Sequence, residues 1–222
     1  MFRKKLTGDL MYKILAFSDL HSNEEALDGL RMLSAKENFD AVICAGDITN
    51  RGPLSYVKDL INVFAEKFYF VHGNMDTSVI IDELRRHKGY IHGRKINFFD
   101  WNIVGIGGSN PTPFSTPSEM SESQIKELLN DCEPDYNTIL VSHAPPKGFF
   151  DLVNQTSHVG SEAILEVLDK TKPLMLLCGH IHEHFGKKIY NDTLIVKLPA
   201  AENKKVAKIT ISNQIVVDFI NL

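Results

Sequence analysis

The sequence predicts an α/β fold built on two sheets, and three observations carry that reading. From Tyr12 to Arg86 short apolar runs alternate with segments of helical period. After Tyr90 closely spaced β-type runs replace the alternation, and three more β-type runs close the chain between Leu194 and Ile220. Strands separated by helices pair in parallel through right-handed crossovers, whereas short runs split by Gly or Asp-Trp pair as hairpins.

Residues 1–10 are set apart as a loose extension because Met11 stands directly before the first strand pattern; 11–222, without repeat or linker, is read as one domain. Tyr12 to Phe17 is a buried strand, and Ala26, Leu27, Leu30 and Leu33 recur at helical spacing over Glu24 to Glu37. Ala41 to Ala45 is a second strand, ended by the breakers of Gly46 to Pro53, and a helix follows from Leu54 to Glu66. Phe68 to Val71 is the third strand, followed by a Gly-Asn turn and a helix from Ser78 to Arg86. Tyr90-Ile-His, Lys95 to Phe99 and Asn102 to Ile106 begin the second sheet. Gly107 to Glu119, rich in Gly, Ser, Pro and Thr, is a loop, and Ser121-x-x-Gln124 is a capping box before a helix over Ile125 to Asn130. Thr138 to Val141 and Leu174 to Cys178 are strands on either side of a helix from Glu162 to Asp169. Leu194 to Leu198, Val206 to Ile211 and Ile215 to Ile220 complete the β content.

The 222 residues can bury a substantial core, and 43% hydrophobic with 23% charged excludes a disordered chain, a collagen-like repeat or a coiled coil. Lys and Arg total 24 against 28 Asp and Glu, so charge gives no support for a nucleic-acid partner. Cys44, Cys132 and Cys178 form no C-x-x-C pair and are odd in number, which fits a reducing compartment. No export-type apolar segment opens the chain and no run reaches the ~18 residues of a membrane span, so the expected location is the cytoplasm.

The chemistry sits where strands end, as it does in open α/β sheets. Asp19-Leu-His21 follows the first strand, Gly46-Asp47 the second and Gly73-Asn-Met-Asp76 the third; His143 and Gly179-His-Ile-His182 follow two later ones. In an extended segment side chains at i and i+2 point the same way, so Asp19 with His21 and His180 with His182 can each present two ligands to one side. Gly46, Gly73 and Gly179 let the backbone bring the adjoining ligand close to a neighbour. Carboxylate, imidazole and amide oxygen without thiolate suit Mn²⁺, Fe²⁺, Zn²⁺, Co²⁺ or Ni²⁺ better than an all-oxygen Mg²⁺ cage. Cys44 and Cys178 fall inside apolar runs and are read as buried small hydrophobes.

Asp19-x-His21, Gly46-Asp47, Gly73-Asn74-x-Asp76, His143 and Gly179-His-x-His182 resemble, in order, the signature blocks of calcineurin-like metallophosphoesterases. Within that superfamily, His143-Ala-Pro-Pro-x-Gly148, His158-Val-Gly-Ser161 and Gly179-His-Ile-His-Glu183 are similar to the small prokaryotic Icc-related phosphoesterases. The resemblance implies a four-layer α-β-β-α sandwich, two mixed sheets flanked by helices. It also implies a two-metal centre, with Mn²⁺ favoured: Asp19, His21 and His182 on one ion, Asn74, His143 and His180 on the other, and Asp47 bridging both.

Two divalent ions, set against two carboxylates and a bridging hydroxide, leave one positive charge for a phosphate ester. Such a pair can polarise the phosphoryl oxygens and acidify the bridging water that attacks, positioned by Asp47. Asp76 is expected to support the Asn74 turn or a neighbouring ligand. Many relatives carry Gly-Asn-His-Asp/Glu, with the His as proton donor to the leaving group; here the slot holds Met75. General acid catalysis contributes about 10²–10⁴-fold, and its absence penalises poor leaving groups most, so a small phosphodiester, such as a cyclic nucleotide, is favoured. His158 is the better candidate for a replacement donor, ahead of His72, because its loop follows the His143 block. Arg51 has two open alternatives, meeting a phosphate or facing solvent. Gly148-Phe-Phe150 leaves two alternatives open, a homodimer contact or a wall of the substrate pocket. The competing functions are a phosphomonoesterase or nuclease of the same superfamily and a noncatalytic metal-binding scaffold.

Overall fold

A computed structural model describes residues 10–222; of the expected extension, residues 1–9 lie outside the described residues. The chain runs β1 (Tyr12–Phe17), α1 (Glu24–Lys36), β2 (Ala41–Ala45), α2 (Leu54–Phe64), β3 (Phe68–Val71), α3 (Ser78–Leu84), β4 (Arg94–Phe98) and β5 (Trp101–Ile106). It continues through α4 (Glu122–Cys132), β6 (Thr138–Ser142), β7 (Leu152–Val153), β8 (Ser157–His158), α5 (Glu162–Thr171) and β9 (Met175–Cys178). The remaining strands are β10 (Gly186–Tyr190), β11 (Thr193–Lys197), β12 (Lys205–Ile211) and β13 (Ile215–Asn221).

One sheet has the order β13-β12-β1-β2-β3, the other β10-β11-β9-β6-β5-β4. β1, β2 and β3 are parallel, as are β5, β6, β9 and β11, while β12, β13, β10 and β4 pair antiparallel. Both sheets are therefore mixed.

Period two decides which layer each side chain joins. Ile14, Ala16, Ile43 and Ala45 face Ile139, Val141, Leu177 and Val196 in one cluster between the sheets. Their neighbours Leu15, Phe17, Val42 and Cys44 turn outward against Leu27, Leu30, Val57 and Leu60 of α1 and α2. On the far side Leu140, Leu176 and Ile195 pack on Ile125 and Leu129 of α4 and on Ile164 and Leu168 of α5. The layers are α-β-β-α, and the central strands read as unbroken apolar runs because both of their faces are covered. Each fully buried Leu or Ile there contributes ~1.5–3 kcal/mol relative to exposure.

Local signals set the helix ends. Asn23 Oδ1 accepts the Ala26 amide at 2.9 Å to start α1. Ser121 and Gln124 form the expected capping box, so α4 begins at Glu122 and runs to Cys132, longer than the apolar pattern suggested. β10 was not anticipated: Gly186-Lys-Lys-Ile-Tyr190 is an exposed edge whose polar residues hide the period, and β11 supplies its pairing. The hairpin of β7 and β8 was also missed, being two residues a side. All three cysteines are buried and free.

Beside the β4–β5 hairpin, His92 Nδ1 accepts the Gly107 amide at 2.9 Å, and burial, with Arg85 assisting, pushes its value down to about 4. A value below the ordinary 6.5 means stability that is complete above 6.5 and lost as pH falls toward 4, about 3 kcal/mol in all. Denaturant unfolding of metal-free protein should show this loss between pH 6.5 and 4, and His92→Gln, which keeps an acceptor that does not titrate, should reduce the acid loss by about that amount while the part due to buried His72 and His180 stays.

Candidate metal centre

The loops after β1 and β2 are joined by backbone before any side chain is considered. The Asp19 amide donates to the Gly46 carbonyl at 3.0 Å, and the Leu20 and His21 amides to the Asp47 carbonyl at 2.9 and 3.1 Å. Asp19, His21, Asp47 and His180 have φ of 56°, 47°, 49° and 77°. The expected extended geometry, with i and i+2 aligned, is thus corrected: left-handed turns place Asp19 beside His21, while His180 turns to His143 and His182 to Asp19. Such backbone costs roughly 1 kcal/mol per residue and is characteristic of functional sites. Gly46 and Gly73 make the approach possible: a Cβ on Gly73 would stand 1.9 Å from Asp47 Oδ1, and one on Gly46 2.6 Å from His143 Nδ1.

All seven expected donors meet at these strand ends. Asp47 Oδ2 lies 3.6 Å from His21 Nε2 and 3.4 Å from His143 Nε2. Asp19 Oδ1 lies 4.0 Å from His21 Nε2 and 3.4 Å from His182 Nε2, and both Asp19 oxygens accept the His180 amide at 3.1 Å. Asn74 Oδ1 lies 2.8 Å from His143 Nε2, and the His143 and His180 rings are 5.0 Å apart. Donor atoms of Asp19, His21 and His182 fall within 4.8 Å of one another, as do those of Asp19, Asp47 and His143.

Three observations fit metal ions. His143 Nδ1 is 2.8 Å from the Ala45 carbonyl and must carry a hydrogen to donate there. Its Nε2 is then a lone pair facing the Asn74 carbonyl oxygen, two acceptors that a shared cation reconciles. In the metal-free chain a proton takes that place: burial opposes charge on His143, but Asp47 beside it pushes its value up to about 9. His180 Nδ1 is buried with no hydrogen-bond partner among the described residues. Burial, then the charge of His143, pushes His180 down to about 3, leaving a neutral imidazole with a free lone pair.

Surrounding groups hold the donors. Asp76 accepts the Gly73 amide at 2.8 Å, the Ile48 amide at 3.2 Å, and the Thr49 amide and hydroxyl at 2.8 and 2.9 Å, tying the Asn74 turn to the loop of Asp47. Burial, with Asp47 nearby, raises its carboxyl to about 6. Burial works against ionised Asp19 too, but its contact with His182 and the charges of His143 and Lys197 hold it well below the usual carboxylate range. Two supporting residues were missed in the sequence. Glu202 Oε1 lies 3.2 Å from His182 Nδ1, and its amide donates to the Asp19 carbonyl at 3.0 Å. Lys197 is wholly buried in β11, its Nζ donating to the Leu198 carbonyl at 3.1 Å. Glu202 lies after β11 as the other donors lie after their strands; Lys197 was hidden inside an apolar run.

The remaining candidates fall elsewhere or at the rim. His158 is half-exposed on β8, its Nδ1 2.6 Å from Asp151 Oδ1, and it is not among the described residues lining the pocket over the donors. Phe149 and Phe150 are absent from that lining as well; they pack against the α4–α5 cluster, Phe149 with its ring 4.6 Å from that of Tyr190. Arg51, Met75, Phe114 and Thr116 do line it. His72 is buried against Tyr90, whose hydroxyl is 2.7 Å from its Nδ1.

Carboxylates and imidazoles converging at parallel strand ends define a metal-binding α/β sandwich. The model of the calcineurin-like phosphoesterase family matches residues 12–184, and the chain belongs to that family. Membership implies a phosphoric ester hydrolase. Uncharacterized protein MJ1162 of Methanocaldococcus jannaschii is 33% identical over 94% of this chain and 97% of its own. The TT1561 protein of Thermus thermophilus shares the fold at a TM-score of 0.72 and 14% identity, over 94% of this chain and 99% of that one. A structure described as a novel archaeal phosphodiesterase does so at 0.55 and 12% identity, with the same coverage. Among the described residues no helix is long and apolar enough to cross a membrane.

Proposed function

We propose that residues 11–222 act as one domain, a two-metal phosphodiesterase for small diesters. The observation that carries this reading is Asp47 Oδ2, set between His21 Nε2 at 3.6 Å and His143 Nε2 at 3.4 Å, where one oxygen can serve two ions. Asp19, His21, His182 and Asp47 would hold one ion; Asn74, His143, His180 and Asp47 would hold the other. Manganese suits the nitrogen and oxygen donors. When bound, the two ions supply Lewis acidity and a water acidified enough to attack phosphorus.

The chain's own residues do the rest. Asp19 and Asp47 offset part of the metal charge, leaving an excess that matches a phosphodiester monoanion. Asp76 and Glu202 hold donors in place through the contacts above, and Arg51 at the rim offers a guanidinium to the phosphate oxygens. Met75 moves no proton, so leaving groups that depart without one are favoured, and His158, engaged with Asp151, is left out of the catalytic set. Three free, buried cysteines support the cytoplasm as the compartment.

The test is metal-stripped protein reloaded with Mn²⁺ and assayed on bis(p-nitrophenyl) phosphate and p-nitrophenyl phosphate. Activity that requires the metal and favours the diester at least tenfold is expected. Preference for the monoester overturns the substrate class, and rates unchanged by metal removal overturn the reading as a whole.

A further inference from the structure

The pocket over the donors has a wall that no donor forms. Phe114 lines it and is 80% exposed, an uncommon setting for an apolar ring. Its loop is pinned rather than loose. Glu119 Oε1 accepts the Thr112 hydroxyl at 2.6 Å, the Thr116 hydroxyl at 2.6 Å and the Thr116 amide at 2.7 Å. The Phe114 amide donates to Thr112 Oγ1 at 3.2 Å. The Ser118 amide donates to the Asn74 carbonyl at 3.0 Å, which fastens the loop to a donor's own backbone. An aromatic ring beside an anion-attracting centre, with Met75 and Arg51 among the other lining residues, is a platform on which no ring of the described residues stacks.

We propose that Phe114, with Met75, forms a subsite for a planar aromatic group carried by the phosphate ester, such as a nucleobase. The inference rests on the phosphodiesterase reading and names the substrate class of that site. A flat π-face selects planar groups because bases stack on aromatic side chains, and a guanidinium tolerates both the ring and the phosphate beside it. An aliphatic ester gains only apolar contact there.

The test measures binding of two phosphate monoesters, the disfavoured ester class, to the Mn²⁺-loaded protein, read at initial rates before either is turned over. Adenosine 5′-monophosphate and ethyl phosphate are compared as competitive inhibitors of wild type, Phe114→Ala and Phe114→Tyr. Phe114→Ala should weaken the adenosine ligand about tenfold, or about 1.4 kcal/mol, relative to ethyl phosphate, and Phe114→Tyr should restore it. Phe114→Trp adds an exposed indole to a protein whose Trp101 is buried, and its fluorescence should be quenched by the adenosine ligand and not by ethyl phosphate. An unchanged selectivity ratio in Phe114→Ala, or an indole indifferent to both ligands, overturns the subsite while leaving a measured diesterase activity standing. If wild type shows no diesterase activity the function falls instead, and the fluorescence still decides whether a planar group stacks at Phe114.

Discussion

Replacing Asp47 with Asn is expected to cut phosphodiester turnover by about 10³-fold or more, about 4 kcal/mol of lost transition-state stabilisation, in a protein that still folds. Asn keeps the size of the side chain and an oxygen able to accept the Met75 amide, which Asp47 Oδ1 receives at 2.8 Å. What it removes is the charge of Oδ2, the atom placed between His21 and His143. On the proposed two-metal reading, two cations held there without that charge would repel and the pair would be lost. Elemental analysis should find less metal in the variant, while its circular dichroism spectrum stays near wild type. A folded variant with wild-type turnover removes Asp47 from the centre.

Gly73→Ala should produce the larger structural effect from the smaller chemical change. Its Cβ would stand 1.9 Å from Asp47 Oδ1 and 2.2 Å from the Asp47 backbone nitrogen, and a backbone atom gives way far less readily than a side-chain tip. Relief requires the turn at Asn74 or the loop at Asp47 to move, and Asp76 bonds to both. A destabilisation of about 3 kcal/mol is expected, with loss of metal binding and of activity together. Gly148→Ala is the comparison: nothing lies within 4 Å of its Cβ, so only its positive φ of 86° opposes the change, about 1 kcal/mol. Equal unfolding midpoints for the two variants would refute the steric account.

The strand ends were legible in the sequence because parallel strands covered on both faces leave unbroken apolar runs, and the first polar residues after such a run mark its carboxyl end. Asp19, Asp47, Asn74, His143 and His180 all follow that rule. The manner of their convergence was not legible, because the left-handed backbone at Asp19, His21, Asp47 and His180 is imposed by bonds to distant loops. Glu202 reaches His182 only because Ser18 and Ala200 are bridged in space, a pairing that no local pattern announces. β10 escaped notice since an exposed edge strand has no apolar face to display. Phe114 sat in a stretch rich in turn formers, where composition tells of a loop and nothing of the direction its ring faces.

The amides that join Asp19 to Gly46, Glu202 to Asp19, Gly179 to His143 and Ser118 to Asn74 fasten neighbouring loops to one another. An incoming cation would therefore meet a cradle already assembled, and to enter it would shed water and displace the proton on His143. On the proposed two-metal reading, loading and emptying the centre would then leave the backbone of these loops where it is.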